Sequence, residues 1–395
     1  MRYDFTTVID RTHAGSFKWD QMRGWNPDVD PGIIPFSVAD MELLNPPEII
    51  QGLQEYLDHL VLGYTGPTQA YFDAVIGWMK RRHGWDIQKE WLVQTAGVVS
   101  AFFNAVKVFT DPGDGVLFMT PAYYPFYNAI DQQGRVQVKV PLLLLQDERY
   151  DIDWELFEER AKDPRNKILL FCSPHNPVGR IWLPEELERV VDICVRNDVV
   201  LVSDEIHFDL VMPGYKHTVI STISEKAAQH SIVLTAPSKT FNLAGAQCSN
   251  AVIKNDSLRQ RFIAGLIATG FHMLNIFAYK ACEIAYDRCE AWLEELLQLV
   301  HVNHKLVKDY FAAHMPAIKV YDLEGTYLQW MDFRPLGLDK DQLEELMHKK
   351  AQVFMDEGYV FGPEGEGFER LNLAAPTHTI QAACERMHEA VKPYL

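Results

Sequence analysis

Between residues 116 and 253 the chain alternates short apolar runs with helical segments, and this alternation restricts the fold more than any other feature. In PEELERVVDICVRND, Pro184 suits a first helical turn, and Leu187, Val190, Val191 and Cys194 follow the i, i+3, i+4, i+7 spacing of one helix face. Strand-like runs lie at residues 116–119, 136–140, 168–171, 199–202, 232–234 and 250–253. Continuous apolar strands between amphipathic helices predict an α/β fold with a mainly parallel sheet covered on both faces.

Length and charge narrow the class of protein further. At 395 residues the chain exceeds what one hydrophobic core usually serves, so two lobes are expected. Hydrophobic residues make up 48% of the chain, which is enough to build a real core. The formal net charge of −17 argues against nucleic acid or an anionic membrane surface as the main partner.

Cysteine usage and the chain's start predict a cytoplasmic protein. No cysteine pair has CxxC spacing, so buried free thiols are expected. The start, MRYDFTTVIDRTHAGSF, lacks the apolar core of a signal peptide. The most apolar long window, residues 262–279, is interrupted by Thr269, Gly270, His272 and Asn275, and it predicts a buried or interface helix rather than a membrane span. The six cysteines are Cys172, Cys194, Cys248, Cys282, Cys289 and Cys384.

Polar residues follow three of the predicted strands. Asn176, Asp204 and Lys239 each come just after the end of a different strand. Singly they are ordinary, since an Asp there is usually a helix cap and an Asn-Pro pair usually a turn. Lys239 lies between two apolar runs, where a cation is costly without a partner or a chemical task. Because ligands bind at the carboxyl ends of strands in open α/β sheets, the three residues together predict a shared ligand.

These segments resemble a known family. SPHNPVGR (173–180), VSDEIH (202–207) and APSKTFN (236–242) are similar to the signatures of fold-type-I pyridoxal 5′-phosphate (PLP) enzymes, the aspartate-aminotransferase superfamily. VSDEIHFDL and FGPEGEGFERLN most resemble the MalY/PatB-type C–S lyases, known as cystathionine β-lyases or cysteine-S-conjugate β-lyases. Further similar segments are VADME (38–42), GYTGPT (63–68), TAGVVSA (95–101), PAYYPF (121–126) and RLNLAAP (370–376).

The resemblance implies a domain division. Residues 1–45 would form an N-terminal arm and part of a small domain. Residues 46–288 would form the large PLP-binding domain, whose mainly parallel sheet is flanked by helices. Residues 289–395 would form the C-terminal part of the smaller α/β domain.

The resemblance also implies roles at the reacting end of the cofactor. Lys239 would bond covalently to the cofactor aldehyde and later shuttle protons, which requires a neutral amine. Asp204 would pair with the pyridine nitrogen and keep it protonated, so that the ring withdraws electrons. Asn176 would donate to the phenolic oxygen and help to bind substrate. His207 would lie near the same oxygen, although a satisfied core histidine remains an alternative.

At the ring face and the phosphate, the resemblance implies weaker, distributed contacts. Tyr123 would stack on the pyridine ring. The family often has an arginine eight residues after the lysine, but Gln247 occupies that position here, so a strong cationic phosphate clamp is not expected. Amides at a helix start, a hydroxyl and a tyrosine of a neighbouring subunit would take its place, and the last implies a homodimer. These residues are Gly97, Val98, Val99, Ser238 and Tyr64.

Substrate recognition is expected to depend on Arg370. This residue resembles the arginine that holds the substrate α-carboxylate in a planar two-point contact, although FERLN alone would favour a surface salt bridge. Ala39 would add a backbone contact, and Tyr124 would line the substrate side. Ser37, with Phe36 before it, stands where the branch typically has Trp, which predicts a changed side-chain preference.

Three functions remain open from the sequence. The first is β-elimination of S-substituted L-cysteines such as cystathionine to thiol, pyruvate and ammonia. The second is an aminotransferase on the same scaffold, and the third is a regulatory binding protein that keeps the fold. A metal hydrolase is disfavoured: His301 and His304 form an HxxH without HExxH context, so a solvated face of a surface helix is expected there and no metal site.

Overall fold

The computed structural model describes residues 2–395. The strands are β1 Leu92–Thr95, β2 Gly115–Thr120, β3 Val136–Pro141, β4 Leu143–Leu144, β5 Tyr150–Asp151, β6 Asn166–Cys172, β7 Val200–Asp204, β8 Ser231–Thr235, β9 Ser249–Val252, β10 Lys319–Val320, β11 Leu328–Asp332, β12 Asp356–Glu357 and β13 Phe368–Asn372. The helices are α1 Phe17–Trp25, α2 Pro47–Leu57, α3 Gln69–His83, α4 Val98–Phe109, α5 Tyr124–Asp131, α6 Trp154–Ala161, α7 Pro184–Arg196, α8 Glu225–His230, α9 Pro237–Thr240, α10 Asp256–Ile267, α11 Ile276–Arg288, α12 Glu290–His314, α13 Lys340–Glu345 and α14 Thr377–Val391.

A seven-stranded sheet forms the centre of the larger lobe. Its order is β1-β9-β8-β7-β6-β2-β3, and β9 alone runs antiparallel to its neighbours. Every residue of β2 and of β8 is buried, as expected for strands covered on both faces. The predicted strands and the predicted mainly parallel α/β fold are therefore confirmed.

A second, antiparallel sheet lies in the C-terminal part of the chain. Its order is β10-β11-β13-β12, and β13 is buried along its whole length. The N-terminal segment joins this sheet, because the Phe36 amide donates to the Phe354 carbonyl at 2.7 Å and the Asn372 amide donates to the Phe36 carbonyl at 3.0 Å. This pairing is compatible with the expected small domain, whose boundaries stay a prediction.

Two helical predictions are confirmed and two need correction. Helix α7 begins at Pro184 and buries the predicted apolar face, and α12 contains the predicted leucine repeat. The window 262–279 is not one helix, because α10 ends at Ile267 and α11 begins at Ile276, with Gly270 at a φ of +79° between them. The predicted solvated HxxH face is wrong for His304, which is buried and has Nδ1 2.6 Å from Gln329 Oε1.

The expected buried free thiols are confirmed, since all six cysteines are free and buried. No helix in residues 2–395 combines the length and the apolar character needed to cross a membrane.

Two glycines provide a test of the packing near the small sheet. A Cβ on Gly358 would lie 2.0 Å from the Gly365 carbonyl oxygen and 2.6 Å from that of Phe368, whereas a Cβ on Gly24 in α1 would meet nothing within 4 Å. We expect Gly358→Ala to lower the free energy of unfolding by about 1–3 kcal/mol. Gly24→Ala should raise it by about 0.5 kcal/mol, through helix propensity. Chemical unfolding of both variants measures the contrast, and equal effects would contradict the packing described.

Candidate active site

The three polar strand ends meet in one cavity of about 270 Å³. Asn176 follows β6, Asp204 ends β7, and Lys239 lies in the short helix α9 directly after β8. Because β6, β7 and β8 are parallel neighbours, their carboxyl ends lie on the same edge of the sheet. The structure therefore brings the three residues together, as the sequence predicts, and adds His207 and Ser238 to the same lining.

Lys239 is partly buried, and its amine is held by the N-terminal segment. The Nζ atom donates to the Ala39 carbonyl oxygen at 2.6 Å. Burial lowers the pKa of Lys239 to about 8; the Arg370 charge lowers it further, while Asp40 and Asp204 oppose the shift. The neutral amine, which is the form that reacts with carbonyl groups, is therefore much more populated near neutral pH than for an ordinary lysine.

The turn that carries Lys239 is fixed from behind by a buried carboxylate. Asp209 Oδ2 accepts a hydrogen bond from Thr240 Oγ1 at 2.7 Å, and Trp78 Nε1 lies 3.1 Å from Asp209 Oδ1. His83 Nε2 lies 2.8 Å from the same Oδ1. Because Trp78 and His83 belong to α3, this network ties the lysine turn to a long helix and limits movement of the amine.

Asp204 is a buried carboxyl group that has no basic hydrogen-bond partner within residues 2–395. Its Oδ1 accepts from the Ile206 amide at 3.1 Å. Burial raises the pKa of Asp204 to about 7, although the Ile206 amide and the Lys239 charge oppose the shift. A cationic or hydrogen-bond-donating ligand would favour the charged carboxylate here.

The opposite end of the cavity is formed by the start of α4. Gly97, Val98 and Val99 line it, and Gly97 has a φ of +102°, which only glycine adopts readily. First-turn amides and the helix dipole make such an end suitable for an anion. Gln247 also lines the cavity, so the position where the family often has an arginine carries no charge.

Arg370, on β13, is held by two oxygen acceptors at the cavity wall. Its Nη1 donates to Asn176 Oδ1 at 2.7 Å, and its Nη2 forms a short ion pair with the Asp356 carboxylate. Its Nε is buried without a hydrogen-bond partner among residues 2–395. Arg370 is buried and lines the cavity, which is incompatible with the alternative of a surface salt bridge.

Sequence reasoning missed Asp356. Its Oδ2 also accepts the Val38 amide at 2.9 Å, so one carboxylate fixes both Arg370 and the N-terminal segment. The only sequence signal was an acidic residue after the apolar run 353–355, which is too common to indicate a site. Sequence reasoning also missed the lining residues Ala96, Cys172, Ile206, Ala244 and Cys248. Val38, which begins the VADME segment, lines the cavity as well.

Aromatic residues form the remaining wall. Tyr123 and Tyr124 line the cavity, with ring centroids 5.1 Å apart. His207 Nδ1 is buried without a partner among residues 2–395, and burial holds the pKa of His207 well below its usual range, so the ring is neutral. Of the predicted site residues, Tyr64 lies outside this lining and is almost fully exposed, with a relative accessibility of 99%.

Comparison with known proteins identifies the class. The family model "Aminotransferase class I and II" matches residues 31–387, so the chain belongs to that family. Cystathionine beta-lyase PatB of Bacillus subtilis is 39% identical over 98% of this chain and 100% of its own length. Protein MalY of Escherichia coli is 30% identical over 99% of each chain. Within the family, the chain belongs to the MalY/PatB-type branch, as its motifs predict.

A solved structure agrees with this placement. Cystalysin from Treponema denticola, whose crystal structure contains a pyridoxal 5′-phosphate cofactor, is 53% identical to this chain. The two folds superpose with a TM-score of 0.98 over 100% of both chains. The expected fold-type-I architecture is confirmed.

The raised pKa of Asp204 predicts a pH-dependent instability of the cofactor-free protein. Because its folded-state pKa of about 7 lies above the ordinary value of 3.8, the folded protein binds more protons between these values. Stability therefore falls as pH rises through that window. We expect Asp204→Asn to be more stable than the unmodified protein at pH 8, by up to about 4 kcal/mol, and this difference to shrink towards pH 4.

Chemical unfolding at pH 4.5 and pH 8 measures this difference. The exposed Asp341→Asn is the matched control, because its charge is removed in water and its effect should be small at both pH values. A stability difference for Asp204→Asn that is the same at both pH values would contradict the assignment.

Proposed function

We propose that this chain is a PLP-dependent carbon–sulfur β-lyase, which converts S-substituted L-cysteines such as cystathionine to thiol, pyruvate and ammonia. The observation that carries the proposal is the placement of the Lys239 amine and the Arg370 guanidinium on one cavity. The amine reacts with an aldehyde or removes a proton, and the guanidinium holds a carboxylate. The name of PatB, cystathionine beta-lyase, supports the reaction type.

The residues present fit PLP. Asp204 is a buried carboxyl group with a backbone amide as its only hydrogen-bond partner among residues 2–395, and it suits a protonated pyridine nitrogen. Asn176 and the unpartnered His207 suit the phenolic oxygen, and Tyr123 suits the ring face. For the phosphate, the α4 amides and Ser238 replace an arginine. When bound, PLP supplies an aldehyde for the amine and a ring that withdraws electrons from the substrate Cα.

Arg370 and Lys239 have separate roles, the first in substrate binding and the second in proton transfer. Arg370 fixes the substrate carboxylate, which orients the bonds at Cα relative to the catalytic amine. Lys239, in the neutral form that desolvation favours, accepts the Cα proton at Nζ. Tyr123 and Tyr124 present hydroxyl groups on the substrate side, where a departing thiolate can accept a hydrogen bond. A thiolate then leaves from Cβ without further action of a base at carbon.

We also propose a homodimer in which Tyr64 reaches the neighbouring active site. Tyr64 lies beside Val61 and Leu62, which are 84% and 72% exposed. Three large hydrophobic residues exposed in one short segment between α2 and α3 are typical of an interface. A tyrosine delivered by this segment would complete the phosphate end of the partner's cavity.

The aminotransferase alternative shares the steps up to removal of the Cα proton. One arginine, Arg370, lines the cavity within residues 2–395, and it is the group assigned to the α-carboxylate. The distal carboxylate of aspartate or glutamate therefore has no second arginine in this chain's part of the cavity. This favours thioether substrates over the common dicarboxylic amino donors.

The test of the reaction type is pyruvate release from cystathionine, cystine and a series of S-alkyl-L-cysteines by the PLP-loaded protein. Amino transfer from the same compounds to 2-oxoglutarate is measured in parallel. We expect pyruvate formation to be much faster, with Lys239→Ala inactive and without the visible absorbance of a lysine-bound cofactor. Amino transfer that outpaces pyruvate formation on every thioether would overturn the lyase assignment in favour of an aminotransferase.

Arg370→Lys tests the substrate-binding assignment. Lysine keeps the charge but not the planar two-point contact, so we expect KM for the thioether to rise by about 5- to 150-fold, equivalent to about 1–3 kcal/mol. The visible absorbance of the bound cofactor should persist, which separates this effect from loss of PLP. An unchanged KM would mean that another group binds the carboxylate.

A further inference from the structure

The two strands that carry Arg370 have a second polar face. In the register of β12 and β13, Asp356 lies opposite Arg370, and Glu357 lies opposite Glu369. Side chains alternate along a strand, so Glu357 and Glu369 project to the face opposite the Asp356–Arg370 pair. Both glutamates are buried, with exposures of 8% and 2%.

A histidine and a third glutamate reach the same face from the adjoining helix. Glu344 in α13 and His348, four residues later, share one helix face. Ligand atoms of Glu344, His348 and Glu357 all lie within 4.8 Å of one another. His348 is buried in a π-helical turn, Leu346–Ala351, and its ring stacks on Trp25 with centroids 4.5 Å apart. Such turns occur often at functional sites.

Within residues 2–395, His348 is the only basic residue in contact with Glu344 and Glu357, and its Nδ1 lies 3.9 Å from Glu344 Oε1. His348 Nε2 lies 2.9 Å from Glu357 Oε1, yet Oε1 has no aligned hydrogen bond within residues 2–395. No lysine or arginine in residues 2–395 forms an ion pair with Glu344, Glu357 or Glu369. Tyr359 donates to Glu344 Oε2 at 3.0 Å, which leaves Oε1 free to bind.

We propose that His348, Glu357 and Glu344 form a binding site for a divalent transition-metal ion such as Zn²⁺. One imidazole and two carboxylates match the nitrogen and oxygen ligands that zinc accepts, and a water would complete a tetrahedral set. Tetrahedral zinc ligands lie about 3.3 Å apart, a spacing that rotation of the half-exposed Glu344 side chain can reach. Glu369 is buried beside Glu357. Burial, with the charge of Glu357, raises the pKa of Glu369 well above its usual range, and a bound cation would relieve this crowding of carboxylates.

The proposed ion would fasten α13 to β12. Glu357 directly follows Asp356, which holds Arg370 and the Val38 amide in the cavity. A metal on one face of β12 therefore stabilises the strand whose other face orients the substrate-binding arginine. The site is structural rather than catalytic, because its ligands project away from the cavity.

Calorimetric titration of the metal-stripped, PLP-loaded protein with Zn²⁺ tests the proposal. We expect one ion per chain, a rise in Tm on binding, and visible absorbance on substitution with Co²⁺. Glu357→Gln and His348→Gln should each weaken binding at least tenfold and remove the Tm shift. Glu344→Gln, a change at a half-exposed position, keeps the test valid if the buried variants fail to fold. It should weaken binding by a smaller factor.

Matched controls are the exposed Glu345→Gln and His378→Gln, which change the same residue types outside the site and should bind Zn²⁺ as the unmodified chain does. Absence of binding would mean that the three side chains pair with one another and hold no ion. That result would overturn the proposal, as would binding that is equal in Glu344→Gln, Glu357→Gln and His348→Gln.

Discussion

A lysine amine held away from water at the carboxyl edge of the central sheet is the constraint on which the rest of the site depends. Desolvation makes the charged form of Lys239 costly, and the nearby Arg370 charge adds to that cost. The fold tolerates this because Ala39 accepts a hydrogen bond from the amine, and because Asp209 holds the adjacent Thr240. Those contacts bring in the N-terminal segment and α3, so parts of the chain distant in sequence are required to maintain one reactive nitrogen.

The central sheet is predicted correctly because the sequence pattern that identifies each strand lies within the strand itself. An apolar strand such as β6 or β8 is recognisable from its own residues, and the parallel arrangement follows from the helices between strands. The same reasoning places Asn176, Asp204 and Lys239 on one edge, since strand direction fixes where each strand ends. Their convergence on a cavity follows from topology, whereas the functional roles assigned to them come from the family resemblance.

What the sequence misses depends on contacts between distant segments. Asp356 becomes important only because β12 pairs with β13 and thereby faces Arg370, and no local pattern encodes that pairing. His304 lies four residues after Val300, on the buried face of α12, and its partner there is Gln329 of β11, a strand that follows later in the chain. The window 262–279 is apolar enough for one helix, yet the helix is interrupted around Gly270, so α10 and α11 are two separate helices.

The Asp356–Arg370 ion pair has a consequence for how a substrate would bind. In the proposed role of Arg370, Nε is the one guanidinium nitrogen without a partner within residues 2–395, so a two-point contact with an α-carboxylate would also replace or share the Asp356 carboxylate bound to Nη2. The net gain is then the difference between two charge-assisted contacts, which is smaller than the energy of a new ion pair in a dry site. Asp356 keeps the Val38 amide as a partner during this exchange, so it is not left as an uncompensated buried charge. Arg370 is thereby held in position before substrate arrives, and selectivity depends on the rest of the substrate rather than on its carboxylate alone.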